Sequence, residues 1–465
     1  MTAISDLSCS TMTQAFRHGE LSPLEVARDC LDRIERHAVL NAFMPIERER
    51  VLREAAASEV RWRQGQPLGP IDGIPATIKD NIWLKDYPTR RGSKTSDPAP
   101  AQADSPAPAR LREQGAVFLG KTCLPEHGWV GACHSPLTGI TRNPWNPDYT
   151  PGGSTGGGAV AALLGLGLLH LGTDGAGSLR IPAAFTGVFG FKPSYGLVAA
   201  YPPSLLNVLA HQGPISRRVE DAALMLSVIA EPDPRDMTAW NRPPPDFTAR
   251  LDAGVRGLRI ALSMRLGYVK TLDPDIEAAV RKVARALEAQ GAIVEEADPP
   301  LARTTEMIRT MWWPVMTGLV DAVPPERRAE MDPGLLAVAE RGKKFTVGDY
   351  VFAFMARTEL HNAMLAFHQR YDLLLTPTMP LTALKVGCVM PDDAAYGEDW
   401  TEWSPYTYPF NLTQQPACSV PCGLARNGLP MGAQLVAPLG SDAVVLRAAR
   451  AIEQALPMPA LKSAA

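Results

Sequence analysis

Two glycine-rich loops, PGGSTGGGAV at 151–160 and LGTDGAGSLRIPAAF at 171–185, follow each other closely and each holds a serine. A serine hydroxyl is a poor nucleophile until a neighbouring group accepts its proton. Glycine opens backbone conformations closed to other residues and lets the main chain approach a bound group closely. Two such loops around Ser154 and Ser178 predict a site built largely from backbone N–H groups.

Familiar glycine motifs do not fit. A phosphate loop needs Gly-Lys-Ser/Thr, and neither loop contains a lysine. The dinucleotide fingerprint fails, because no strand–loop–helix unit with a ribose-binding acid follows. A nucleophile elbow centred on Ser178 requires glycine at 176 and 180, where Ala176 and Arg180 stand. No S-x-x-K pattern occurs. The plainer reading makes both loops tight turns beside a buried helix.

The elements around the loops alternate between helix and strand. Ser22-Pro23-Leu24-Glu25 reads as a capping box with proline at the first helical position, and a second helix runs up to Arg63. GIPATIKDNIW (73–83) and AVFLGKT (116–122) read as strands, joined by a proline-rich surface loop at 97–109. GVFGFKPSYG (187–196) is a strand ending in a turn. LRIALS (258–263), DPDIEAAVRKVARALEAQG (273–291) and AIVEEAD make a strand–helix–strand unit. DLLLTPT (372–378), ACSVPCG (417–423) and MGAQLVAP (431–438) are further strands. This order predicts an α/β protein with a mixed, mostly parallel sheet covered by helices on both faces.

The 465 residues are 46% hydrophobic and carry a formal net charge of −3, which predicts a soluble globular chain without an electrostatic footprint for nucleic acid. The start lacks a basic n-region and apolar run, so no signal peptide is expected. The stretch AVAALLGLGLLHLG (159–172) is too short and glycine-rich to span a bilayer. Seven cysteines without a C-x-x-C pair favour reduced thiols in a cytoplasmic protein, with Cys418 and Cys422 as core residues. His361 and His368 share a helix face but lack further ligands for a metal. His127 and His134 belong near the pocket rim, as loop histidines or, for His127, as a substrate contact.

Taken in order, GIPATIKD, GGSTGG, GTDGAGSLRIP, GFKPSYG, DLLLTPTMP, PFNLTQQPACSVPCG and GLPMGAQLV resemble the amidase signature family closely. The likeness is dense over 65–230 and 371–450 and thin between 240 and 370. It implies the amidase signature fold in a single domain over 1–465, with N-terminal helices at 1–64, a catalytic core at 65–230 and a variable pocket segment at 297–410. It implies a Ser–cis-Ser–Lys triad: Ser178 as nucleophile, Ser154 as bridge and Lys79 as base. The activity implied is hydrolysis of a carboxylic amide through an acyl-enzyme, without cofactor or metal.

Elementary chemistry agrees with these roles. Free lysine titrates at about 10.4, and burial beside Ile74, Ala76 and Ile78 would lower it toward a useful base. Asp80 is adjacent, but alternate strand residues face opposite ways. Ser154 alone would also serve as a helix N-cap. The backbone N–H groups of Gly175, Ala176, Gly177 and Ser178 are candidates for an oxyanion hole, with Asp174 and Arg180 fixing the loop and Thr155 as further structural support. Thr155, Gly158 and Ala176 depart from the family's usual residues, and Ala176 would strain the turn if its position required positive φ.

The partners expected are a small amide substrate and, in a homodimer, a second copy, with neither direct nucleic acid nor membrane contact. The alternative is the glutaminase component of a tRNA-dependent amidotransferase, which carries the same signature. Trp312, Trp313, Phe352, Phe354, Trp400 and Trp403 lean instead toward a hydrophobic pocket, as do Tyr406, Tyr408 and Phe410.

Overall fold

The computed structural model describes residues 3–461. Ser22 caps the helix Pro23–Arg36: its hydroxyl accepts the Glu25 N–H, and the Glu25 carboxylate accepts the Ser22 N–H at 2.8 Å. The box satisfies donors that a helix start otherwise leaves open. This helix packs with Arg48–Arg63 and buries Val26, Ala27, Leu31, Val51 and Ala55.

The strands in chain order are β1 (Pro75–Lys79), β2 (Val117–Thr122), β3 (His134–Ser135), β4 (Gly139–Ile140), β5 (Leu169–Asp174), β6 (Phe189–Lys192), β7 (His211–Ser216), β8 (Arg259–Leu262), β9 (Ile293–Glu296), β10 (Leu373–Pro377), β11 (Ala417–Leu424) and β12 (Pro430–Val436). Ten of them form one mixed sheet in the order β2-β1-β5-β7-β6-β11-β12-β10-β8-β9, while β3 and β4 pair separately. Parallel pairing is confined to the two ends, β2-β1-β5 and β10-β8-β9. The centre, from β5 through β12 to β10, is antiparallel, a larger share than the sequence suggested.

Two sheet strands escape a reading by pattern. The apolar stretch at 159–172 divides at Gly165, whose left-handed φ of 61° ends the helix Gly156–Leu164 before β5 begins. β7 contains Gly213 and Pro214, residues that argue against a central strand. The proline-rich link also differs from expectation. The helix Pro106–Glu113 starts inside it and buries Pro106, Ala107, Pro108 and Leu111, because proline at the first helical position is preset for the turn.

Lys79 ends β1 and Asp174 ends β5, its parallel neighbour. The region beyond the carboxyl ends of parallel strands is where open α/β sheets place their sites. There the helix Thr304–Asp321 brings Trp312 against Gly175, and the helices Pro333–Gly342 and Val347–Phe367 pack on it. Trp312, Trp313, Trp400 and Trp403 are buried there, but Phe352 and Phe354 are 72% and 39% exposed and supply no inner wall.

Candidate active site

All five residues of β1 are buried, so its last side chain, Lys79, sits wholly out of water. Its Nζ lies 2.7 Å from Ser154 Oγ, 2.8 Å from Thr173 Oγ1 and 3.1 Å from Thr155 Oγ1. Its hydrogen-bond partners among the described residues are hydroxyl and carbonyl oxygens, without a carboxylate. Burial brings the amine down from 10.5 to about 7, against the opposing pull of Asp174 and Cys133. Asp80 turns to the other side, 3.4 Å from the Lys121 amine, as strand alternation requires.

The peptide bond between Gly153 and Ser154 is cis. The helix that follows has Thr155, not Ser154, at its N-cap position, with no side-chain cap, so the hydroxyl of Ser154 is free to face Lys79. A β-carbon on Gly128 would come within 3.0 Å of Ser154 Oγ, so the His127 turn presses directly on this serine. The two glycine loops are joined where the Thr155 N–H donates to the Ser178 carbonyl at 3.1 Å. Ser178 itself is 8% exposed and stands in the turn between β5 and the helix Arg180–Thr186.

That turn is held from one side by a buried ionic knot. Arg180 donates to Asp174 Oδ2 at 3.0 Å and Oδ1 at 2.9 Å, to the Thr407 carbonyl at 2.8 Å, to Gln434 Oε1 at 2.9 Å and to Asn411 Oδ1 at 2.7 Å. Asp174 also accepts the N–H of Gly177 at 2.7 Å and of Leu179 at 3.2 Å. Burial pushes its carboxyl up, but Arg180, Lys192 and Asn411 together overcome this and hold it well below the usual carboxylate range. The left-handed residue of the turn is Gly177, at φ 131°, and not Ala176. Alanine is therefore accommodated without strain, and its methyl joins an apolar cluster with Ile181, Leu209 and Trp312.

A β-carbon on Gly175 would lie 2.8 Å from Leu206 Cδ1 and 3.1 Å from Trp312 Cζ3, so an apolar wall stands against the start of the turn. Trp312 meets Trp400 edge-on at 5.2 Å. The histidines take quieter places. Burial lowers His127 to about 4, and its Nε2 has no partner among the described residues. His134 Nε2 lies 3.5 Å from Asp332, while His361 and His368 donate to the Thr413 and Tyr371 carbonyls. Cys418 and Cys422 are buried and unpaired.

Sequence reasoning passed over Thr173, Asn81, Thr407, Asn411 and Gln434. Thr173 and Asn81 touch each other at 3.1 Å beside Lys79 and sit inside the motifs GTD and KDN. Asn411 and Gln434 lie in PFNLTQQ and MGAQLV, whose polar residues within apolar runs were the available signal.

The family model described as Amidase matches residues 25–446. The acylamidase of Rhodococcus erythropolis is 34% identical over 461 residues, covering 97% of this chain and 96% of its own. A glutamyl-tRNA(Gln) amidotransferase subunit of Synechococcus sp. (strain WH7803) is 34% identical over 472 residues, covering 95% of this chain and 96% of its own. Among solved structures, a bacterial aryl acylamidase belonging to the amidase signature enzymes superposes with a TM-score of 0.89 at 30% identity, over 97% of this chain and 96% of its own.

Proposed function

The chain belongs to the amidase signature family and is an amide hydrolase, and from that premise we propose that it forms an acyl-enzyme on Ser178, with Ser154 as proton bridge and Lys79 as base. The observation that carries the reading is the 2.7 Å approach of Lys79 Nζ to Ser154 Oγ in a site where burial brings the amine to about 7. A lysine near that value is substantially neutral at neutral pH and able to take a proton.

Ser178 Oγ attacks the amide carbonyl carbon as its proton passes to Ser154, and the proton of Ser154 passes to Lys79. The N–H groups of Gly175, Ala176 and Ser178 face the developing oxyanion. Gly177 drops out of this role because Asp174 already engages its N–H. The Lys79 ammonium then returns a proton through Ser154 to the leaving nitrogen. Water attacks the acyl-enzyme by the same path and restores the serine.

The wall of Leu206 and Trp312 beside Gly175 supports an aryl or alkyl acyl group as substrate. The segment 297–410 supplies that tryptophan, which supports its reading as the variable pocket segment. Seven free cysteines, six of them buried, suit a reducing compartment, and we assign the protein to the cytoplasm. The similarity to an amidotransferase component keeps a glutaminase reading in contention.

The test of the nucleophile is chemical. Ser178→Ala abolishes turnover and leaves the fold intact, and a phosphonate or sulfonyl fluoride adduct maps by mass spectrometry to Ser178. An adduct on Ser154 with Ser178 unmodified overturns the assignment.

A further inference from the structure

The side chain of Thr155 is fitted into a niche made by two residues that have no side chain. A β-carbon on Gly172 would lie 2.4 Å from Thr155 Cγ2, and one on Gly158 would lie 3.1 Å from the same methyl. The methyl thus occupies the space between β5 and the first turn of the helix Gly156–Leu164. A β-branched side chain is stiff about its first torsion, so seating the methyl there also fixes the hydroxyl.

The hydroxyl donates to the Thr173 carbonyl at 3.2 Å and lies 3.1 Å from Lys79 Nζ. It has a single proton to give. With that proton committed to the carbonyl, Thr155 Oγ1 meets Lys79 as an acceptor only. A neutral amine has two N–H donors and one lone pair. Thr155 takes one N–H, and Thr173, with its hydroxyl at 2.8 Å and its carbonyl at 3.5 Å, is placed to take the second. The lone pair is left for the remaining neighbour, Ser154 Oγ at 2.7 Å.

We propose that Thr155 is a positioning residue whose hydroxyl, locked in one rotamer by the niche at Gly158 and Gly172, aims the lone pair of Lys79 at Ser154. This rests on Lys79 being the base and adds what makes the neutral amine point the productive way. The other titratable groups acting on Lys79 are Asp174 at the end of β5 and Cys133 in the segment before β3, and the substitutions below leave both in place.

The experiment compares pH profiles of kcat/KM and kcat for the wild type, Thr155→Val, Thr155→Ser, Gly158→Ala and the Thr155→Ser/Gly158→Ala pair. Valine keeps the shape of threonine and removes the hydroxyl. Its kcat falls roughly 10- to 100-fold, the scale of one hydrogen bond to a charged group, while KM stays close to the wild-type value. Its acid limb moves to lower pH by roughly half to one unit, because the ammonium loses an acceptor. Serine restores the limb and most of the rate. Gly158→Ala alone lowers kcat, because its methyl meets that of Thr155, and costs little once Thr155 is serine.

The base reading is checked separately, since Lys79→Ala must lose amide hydrolysis for it to stand. With that loss observed, an unmoved acid limb in Thr155→Val overturns the positioning role. An effect of Gly158→Ala equal in both backgrounds overturns the niche.

Discussion

The buried amine of Lys79 destabilises the fold that holds it, and Lys79→Met measures by how much. In an unfolded chain the amine titrates near 10.5, and in the site near 7. At about 1.36 kcal/mol for each pH unit, burying it costs about 5 kcal/mol wherever the unfolded chain is protonated and the site must follow. Methionine removes that cost and keeps the apolar stem. It also strips a hydrogen-bond partner from the hydroxyls of Ser154, Thr155 and Thr173, a loss of about 1 kcal/mol each. The variant is therefore about 2 kcal/mol more stable at pH 6.5.

The sign follows from linkage. Between pH 7 and 10.5 the unfolded wild type binds a proton that the native state has released, so wild-type stability rises with pH through that window. The advantage of the variant is whole below pH 7 and fades as pH rises. Near pH 10.5 it reverses, because only the lost hydrogen bonds remain. At about 2.1 cal/mol/K per residue, unfolding 465 residues releases about 1 kcal/mol/K, so the gain at pH 6.5 is about 2 °C in Tm. Calorimetry at pH 6.5 and pH 10, with amide turnover in parallel, reads the effect. A variant that melts below wild type at pH 6.5, or by the same margin at both pH values, refutes the account.

Other consequences are quicker to test. The acid limb of kcat/KM lies near pH 7, set by burial of Lys79, with activity falling about tenfold per pH unit below it; a limb at the ordinary lysine value would remove the desolvated base. Arg180→Met leaves Asp174 buried without its ion-pair partner and costs about 3–5 kcal/mol in stability, along with the turn that Asp174 anchors through Gly177 and Leu179; melting with the wild type would count against the knot. Protein purified alone hydrolyses a simple aryl amide with higher kcat/KM than glutamine, and a tenfold preference for glutamine would replace the stand-alone enzyme with the amidotransferase component.

What was legible in the sequence was local. The capping box at Ser22, the strand–helix–strand unit from Leu258 to Glu296 and the strands around Cys418 and Gln434 all announce themselves within one turn or one alternation. β5 and β7 did not, because glycine and proline inside them mimic breakers, and their pairing is decided by neighbours far along the chain. The same limit governs the site. The loops of Ser154 and Ser178 stand out by composition, but the contacts of Arg180 with Thr407, Asn411 and Gln434 join residues more than two hundred positions apart. The tolerance of the turn for Ala176 was likewise undecidable until the left-handed residue proved to be Gly177.

The span of that knot also bears on the order in which the site is assembled during synthesis. Lys79, Ser154 and Ser178 all leave the ribosome early, yet the side chains that clamp the Ser178 turn arrive with residues 407, 411 and 434. β11 and β12 then enter the middle of the sheet, between β6 and β10, and close the gap between its two ends. Late pairing across such sequence separations is slow and leaves strand edges open while it waits. A nascent or clipped chain that stops short of residue 407 therefore carries all three residues of the proposed triad without the clamp that shapes the Ser178 turn. If the proposed triad is the active one, hydrolysis then waits on the last strands, and an unfinished copy offers open strand edges before it offers a shaped site.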